Sequence, residues 1–184
     1  MIVSEPFVHE SAWVEPDVSL GQDTRIWHHG HIRSGAKIGA GCNLGKNVFV
    51  DSGVQIGDRV KIQNNVSVYH GVTIEDDVFV GPSAVFTNDR YPRAFNTEWQ
   101  VVETVVRTGA SIGANATLVC GIEVGNYAVI AAGSVATKSV LPHQIVVGCP
   151  ARHHGWVCRC GRVVTTATEP PRFFQCEQCA QEQS

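Results

Sequence analysis

The sequence predicts an all-β chain: a parallel β-helix wound from hexapeptide repeats, with one long loop and a small cysteine-rich element at its C-terminal end. Three observations predict it. Every sixth residue from Val14 is apolar, giving Val14, Leu20, Ile26, Ile32, Ile38, Leu44, Val50, Ile56, Ile62, Val68, Ile74, Val80 and Phe86, thirteen positions in a row. Four residues after each rung stands a small or β-branched companion, among them Thr24, Ala36, Cys42, Val48, Val60 and Ala84. The ladder breaks once, after Phe86, and resumes at Val106 with the same spacing through Ile112, Leu118, Val124, Ile130 and Ala136.

An amphipathic helix keeps a period near 3.6, so a period of six excludes it. Simple strand alternation leaves the larger unit unexplained. A unit of one short strand and one turn explains it, because such a unit buries its apolar face only by stacking on its copies. Three units close one triangular coil of 18 residues, with the rung side chain inward and its companion near a corner. Gly21, Gly39, Gly45, Gly57 and Gly81, each directly after a rung, read as turn residues that need backbone freedom. An ordinary β-sandwich would not hold one register over so many residues.

Residues 1–13 lead into the coils. Twenty residues separate Phe86 from Val106 where the repeat needs six, so fourteen are extra, about 91–104. They leave the helix as a loop, and a long loop on a regular scaffold is a usual seat of function. After Ala136 come a turn, a last short strand at Ile145–Gly148 and the segment Cys149-Pro150-Ala151-Arg152. The expected domains are 1–156, the β-helix, and 157–184, the cysteine-rich tail.

Composition narrows the function classes. A net charge of −3 gives no reason to expect nucleic acid. No apolar run is long enough to span a bilayer, and an N-terminus bearing Glu5 without a basic start does not read as a signal peptide. A cytoplasmic protein is expected, and Cys42, Cys120 and Cys149 read as small hydrophobes.

Residues 18 apart stack on adjacent coils, about 4.8 Å apart. Asn88 therefore stacks on His70, then Ser52 and Ser34, at the corner from which the loop departs. These read either as solvated turn residues or as one wall of a cleft, and the loop favours the cleft at Asn88. The run Trp27-His28-His29-Gly30-His31 holds three histidines, but neighbouring strand residues alternate faces and do not converge on one ion. Solvent or a subunit interface is their first reading, with His28 and His31 also candidates to line a substrate pocket.

The pattern resembles the hexapeptide-repeat, left-handed β-helix acyltransferase superfamily, and within it the bacterial N-acetyltransferases of nucleotide-linked 3-amino sugars. The resemblance spans about residues 8–156. It is carried by Ile26-Trp27-His28 with His31-Ile32, by Lys61 to Tyr69, by Phe86-Thr87-Asn88 with Pro92-Arg93, by Gly113-Ala114-Asn115 with Cys120-Gly121, and by Val147-Gly148 with Pro150-Ala151-Arg152. It implies a left-handed coil, a homotrimer with sites between subunits, acetyl-CoA as cosubstrate and a UDP- or dTDP-linked amino sugar as acceptor. It matches Asn88 to the asparagine beside the reacting amine, leaving His70 or Asp89 as proton acceptor. It assigns Ala131, Ala132, Gly133 and Ser134 to the pantetheine arm and Lys138 and Arg152 to the CoA phosphates, while His28, His31, Tyr69 and Arg93 are candidates to contact the substrate, Arg93 through a uronate carboxylate. Each has a plainer reading too: repeat packing for the small residues, solvated charge for the cations, and an ion pair with Glu98 or Asp89 for Arg93.

Rival functions are transfer to another amine or to a hydroxyl, a β-helical carbonic anhydrase and a non-enzymatic scaffold. The anhydrase needs further histidines on later coils, and none lies between His70 and His143. A scaffold gives no reason for an aromatic loop after Asn88. In the tail, Cys158-Arg159-Cys160-Gly161 and Cys176-Glu177-Gln178-Cys179 present two close thiol pairs. They predict a structural Cys₄ zinc site, against the alternatives of two local disulfides or idle thiols.

Overall fold

Each hexapeptide forms a strand of two residues, or three at Val72–Ile74 and Thr104–Val106, that ends on its rung, as in Arg25–Ile26, His31–Ile32 and Lys37–Ile38. A computed structural model describes residues 4–181 and stacks these strands into three sheets of ten, seven and six strands. Parallel pairs fall at the predicted 18-residue spacing, for example Ile26 with Leu44, Leu44 with Ile62 and Ile62 with Val80. The rungs from Ile26 onward are buried to within a few per cent, and so are companions such as Ala36, Cys42, Val48 and Val66. A buried aliphatic side chain of this size contributes about 1.5–3 kcal/mol by transfer from water. One column of rungs thus supplies the drive that no isolated coil has.

The turns differ from expectation in one respect. The residue in the left-handed region is the third after the rung, for instance Gly53, Arg59 and Asn65. Gly57, directly after its rung, is absent from that region. A Cβ there would lie 2.7 Å from the Asp76 backbone nitrogen of the next coil. Glycine after a rung is therefore required by the close approach of stacked backbones, not by turn conformation.

The loop leaves after Phe86, and the coil resumes with Val72 paired to Thr104 and Ile74 to Val106. Thr104 is thus the first residue of the strand Thr104–Val106 and is buried, so the inserted segment ends one residue earlier than the repeat count put it. After the last coil, Gln144–Gly148 pairs parallel to the first sheet and antiparallel to Ala151–Val157, which pairs with Val163–Thr165. A short helix, Glu177–Gln181, ends the described chain. Strand Ala151–Val157 carries the first sheet across the boundary expected at 156, so the tail is joined to the coils by backbone pairing. No helix among the described residues is long and apolar enough to cross a membrane.

Candidate active site

At the corner between the second and third sheets the predicted column is continuous. The His70 imidazole Nδ1 lies 2.7 Å from the Ser52 carbonyl. A carbonyl only accepts, so Nδ1 carries the proton and Nε2 keeps its lone pair. Asn88 Nδ2 donates to the His70 carbonyl at 3.2 Å, which leaves Oδ1 as the open acceptor, and the Asn88 carbonyl accepts Val102 N–H at 3.0 Å. The last bond closes the root of the loop. The Thr87 hydroxyl supports that root by accepting Cys120 N–H at 2.9 Å.

Beneath this pair lies a charged support that the sequence reading missed. Asp51 accepts N–H bonds from Ser52 at 2.7 Å and His70 at 3.3 Å, and Arg33 Nη1 at 2.7 Å. Burial pushes its carboxyl up, but those N–H bonds and Arg33 outweigh it and hold Asp51 below the usual carboxylate range. Glu15 is likewise lowered, first by Ser34 N–H and then by His31. The spacing of Glu15, Arg33 and Asp51, 18 residues apart, was the available signal.

The other candidates divide between two corners. Asp89 is held in the loop's first turn, where Oδ1 accepts Tyr91 N–H at 2.9 Å. Arg93 is exposed, donates to the Pro92 carbonyl at 2.7 Å and makes no ion pair with Asp89 or Glu98 among the described residues. His31 Nε2 meets Glu15 at 2.8 Å, and its ring stacks on Trp13 at 4.4 Å and meets Phe49 edge-on at 5.5 Å. Phe49 in turn tilts against Tyr69 at 6.1 Å. These four rings form a ladder on the second sheet that leads to the Asn88 corner, and Trp13 and Phe49 had not been singled out. His28 stacks on His9 at 3.6 Å at the opposite corner, between the first and second sheets.

Ala131, Ala132 and Gly133 turn at that same opposite corner, and a Cβ on Gly133 would meet nothing within 4 Å. Ser134 is buried, with its hydroxyl accepting Gly148 N–H at 3.0 Å, so its side chain braces the next turn. Lys138 continues the Asn88 column two coils further on, roughly 10 Å along the axis. Lys138 and Arg152 line one cavity of about 250 Å³ together with Gln144 and His153.

The four tail cysteines converge. All four Sγ atoms lie within 4.8 Å of one another, and Cys160 and Cys176 are 3.6 Å apart. Thiolates around tetrahedral zinc at about 2.3 Å are separated by about 3.8 Å, so the cluster fits that ion. The backbone amide and guanidinium of Arg162 draw the Cys160 thiol down to about 6, whereas hydrogen bonding with Cys160 and Cys176 pushes Cys179 up to about 12. Among the described residues of one chain, no other group of three or more histidines, cysteines and carboxylates lies close enough together to hold a metal.

Comparison with known proteins gives a consistent result. A profile for the bacterial transferase hexapeptide (six repeats) matches residues 53–88, and one for the hexapeptide repeat of succinyl-transferase matches 35–70 and 108–138. The chain is 45% identical over 154 residues to a dTDP-3-amino-3,6-dideoxy-alpha-D-galactopyranose 3-N-acetyltransferase of Aneurinibacillus thermoaerophilus, covering 84% of this chain and 80% of that one. A hexapeptide-repeat acetyltransferase of Vibrio cholerae, solved with acetyl-CoA, is similar with a TM-score of 0.59 and 27% identity over 66% of this chain and 70% of that chain. The acetyltransferase domain of PglB from Neisseria gonorrhoeae shares the fold with a TM-score of 0.55 at 19% identity, over 82% of this chain and 58% of that one.

Proposed function

The chain belongs to the bacterial hexapeptide-repeat transferase family and is an acetyltransferase, and we propose that it acetylates the amino group of a dTDP-linked 3-amino sugar with acetyl-CoA as donor. The observation that carries this acceptor is the similarity, over most of both chains, to a transferase of such a sugar. In the proposed reaction the neutral amine attacks the thioester carbonyl. The C–N bond forms, the C–S bond breaks, and CoA leaves with the proton that the amine gives up. Asn88 Oδ1 accepts one amine N–H and aims the nitrogen lone pair. His70 Nε2, left free by the bond at Nδ1, takes that proton and passes it to the departing CoA thiolate, in preference to Asp89, whose carboxylate shapes the loop. The test is a thiol-release assay with acetyl-CoA and a panel of dTDP- and UDP-linked amino sugars. Turnover of a dTDP-linked 3-amino sugar is expected, and no release with any member of the panel overturns the reading.

Lys138 and Arg152 take the phosphates of CoA at the C-terminal end of the Asn88 corner. Either Lys138→Ala or Arg152→Ala is expected to raise the KM for acetyl-CoA about tenfold, the loss of one charge-assisted contact, with kcat near that of the parent. An unchanged KM in both would move the cofactor elsewhere. Ala131 to Gly133 and His28 stand at the other corner of the same prism, so one copy does not bring all the candidates together. A homotrimer with each site shared between copies resolves this, and sedimentation of the intact protein tests it. The four tail thiols hold one structural zinc per chain, and metal analysis with thiol titration checks this. A metal-free protein with four freely reactive thiols would sink it. Free thiols, acetyl-CoA and nucleotide sugars all suit the cytoplasm.

A further inference from the structure

Between Arg159 and Gln181 no side chain is buried, so this segment has no core of its own to hold it folded. A segment of this size without a core needs a cross-link, and the four-thiol site supplies one. What the segment does once folded is written in its contacts with the end of the coils. The Phe174 ring stacks on His143 at 4.4 Å and tilts against Trp156 at 5.9 Å, and the Arg159 guanidinium lies 5.0 Å over the Tyr127 ring. The Ala167 carbonyl accepts two bonds from strand Ala151–Val157, one from Trp156 Nε1 at 3.0 Å and one from His153 Nε2 at 2.9 Å.

His153 is the link to the active end. With Nε2 donating to a carbonyl, Nδ1 is an acceptor, and Gln144 Nε2 donates to it at 2.9 Å. Gln144 is fixed in that sense because its Oε1 accepts Leu141 N–H at 2.9 Å. Gln144 and His153 are walls of the cavity that Lys138 and Arg152 also line. Cys158 directly follows the strand that carries Arg152 and His153, and Val157 is tied to His143 by two bonds, its N–H donating to the His143 carbonyl at 2.7 Å and its own carbonyl accepting His143 Nδ1 at 3.0 Å.

We propose that the four-cysteine element is a metal-dependent brace for the cofactor cavity. With the ion bound, the element clamps the outer edge of strand Ala151–Val157 and fixes His153, Gln144 and Arg152. Without it, residues 159–181 lose their order, Phe174 and the Ala167 carbonyl leave, and the cavity wall loosens while the coils stand. Coupling between two sites is reciprocal, so acetyl-CoA tightens ion binding by the same factor by which the ion tightens acetyl-CoA binding.

The proposal rests on two readings given above, zinc at the four thiols and CoA phosphates at Lys138 and Arg152. The test is calorimetric titration of the intact, reduced protein with acetyl-CoA as prepared, after chelation, and after zinc is restored. Binding is expected to weaken about fivefold or more on chelation, the low end of ordinary coupling between sites, and to recover with zinc. Phe174→Ala, which keeps all four thiols, is expected to retain the ion and show a similar loss, so the idea can be tested even if stripped protein precipitates. An ion that binds and leaves with no change in acetyl-CoA affinity, or a Phe174→Ala protein that binds like the parent, overturns the brace alone. Protein that never holds an ion overturns the zinc reading and the brace with it, and an inert Lys138→Ala identifies the cavity assignment as the fault.

Discussion

Asn88→Ala is expected to lower kcat about 100-fold, the usual scale for removing one preorganised polar group from a reacting centre, while leaving the KM for acetyl-CoA within about twofold. The argument is geometric. Asn88 is held from both sides, its Nδ2 by the His70 carbonyl and its main chain by Val102 N–H. Its Oδ1 therefore points away from the column as an acceptor with little conformational freedom left to lose on binding. Alanine keeps the main-chain bond that closes the loop, so the fold and the cofactor cavity should survive and the loss should fall on kcat. The control is the melting temperature, expected within about 2 °C of the parent for a part-exposed side chain making one neutral hydrogen bond. Unchanged turnover removes Asn88 from the mechanism. A loss of activity matched by a collapse of the melting temperature would instead make it a strut of the loop root.

Much of this architecture was legible in the sequence because a solenoid converts sequence spacing into position. Eighteen residues along the chain is one coil along the axis, so spacing alone stacks Ser34, Ser52, His70 and Asn88, and the loop is sized by subtraction. The same rule puts Trp13 and Phe49 in line with His31, but a search confined to polar columns passed over those two rings. Contacts between unlike positions were not legible. Nothing in the spacing says that Gly57 is glycine because the Asp76 amide of the next coil lies against it, or that Ser134 turns its hydroxyl inward to Gly148. The tail shows the limit most clearly. Its four thiols announced a metal site, but its docking on His143, Trp156 and His153 follows from no repeat and no local propensity. It comes from a strand, Ala151–Val157, that continues the first sheet after the hexapeptide pattern has stopped.

Replacing residues 91–100 by two glycines is expected to leave the β-helix intact and to cut kcat/KM for the sugar nucleotide by about 100-fold or more, the cost of losing substrate positioning. Every residue from Arg90 to Val101 is exposed, so the segment contributes nothing to the core. The coils do not need it: Val72 pairs with Thr104 and Ile74 with Val106 in the register the repeat would have kept without an insertion. Val101 and Val102 stay in the variant because they pack at the corner, Val101 against Gly71 and Val102 against Gly121. Shortening a loop also lowers its closure entropy, by about 0.6 kcal/mol per halving, so the melting temperature should hold or rise slightly. Against that neutrality stands an unfavourable composition for idle surface. Tyr91 is 78% exposed and Phe95 83%, and such rings in water at the mouth of a polar column are better explained by a ligand or a neighbouring copy that covers them. If kcat/KM survives the excision, the acceptor does not touch the loop, and the aromatic ladder of Trp13, His31, Phe49 and Tyr69 becomes the surface to test next. If acetyl-CoA affinity falls with it, the loop belongs to the cofactor rather than the sugar. A loss confined to the sugar nucleotide, in a protein that melts and sediments as before, would separate the scaffold from the function the loop adds to it.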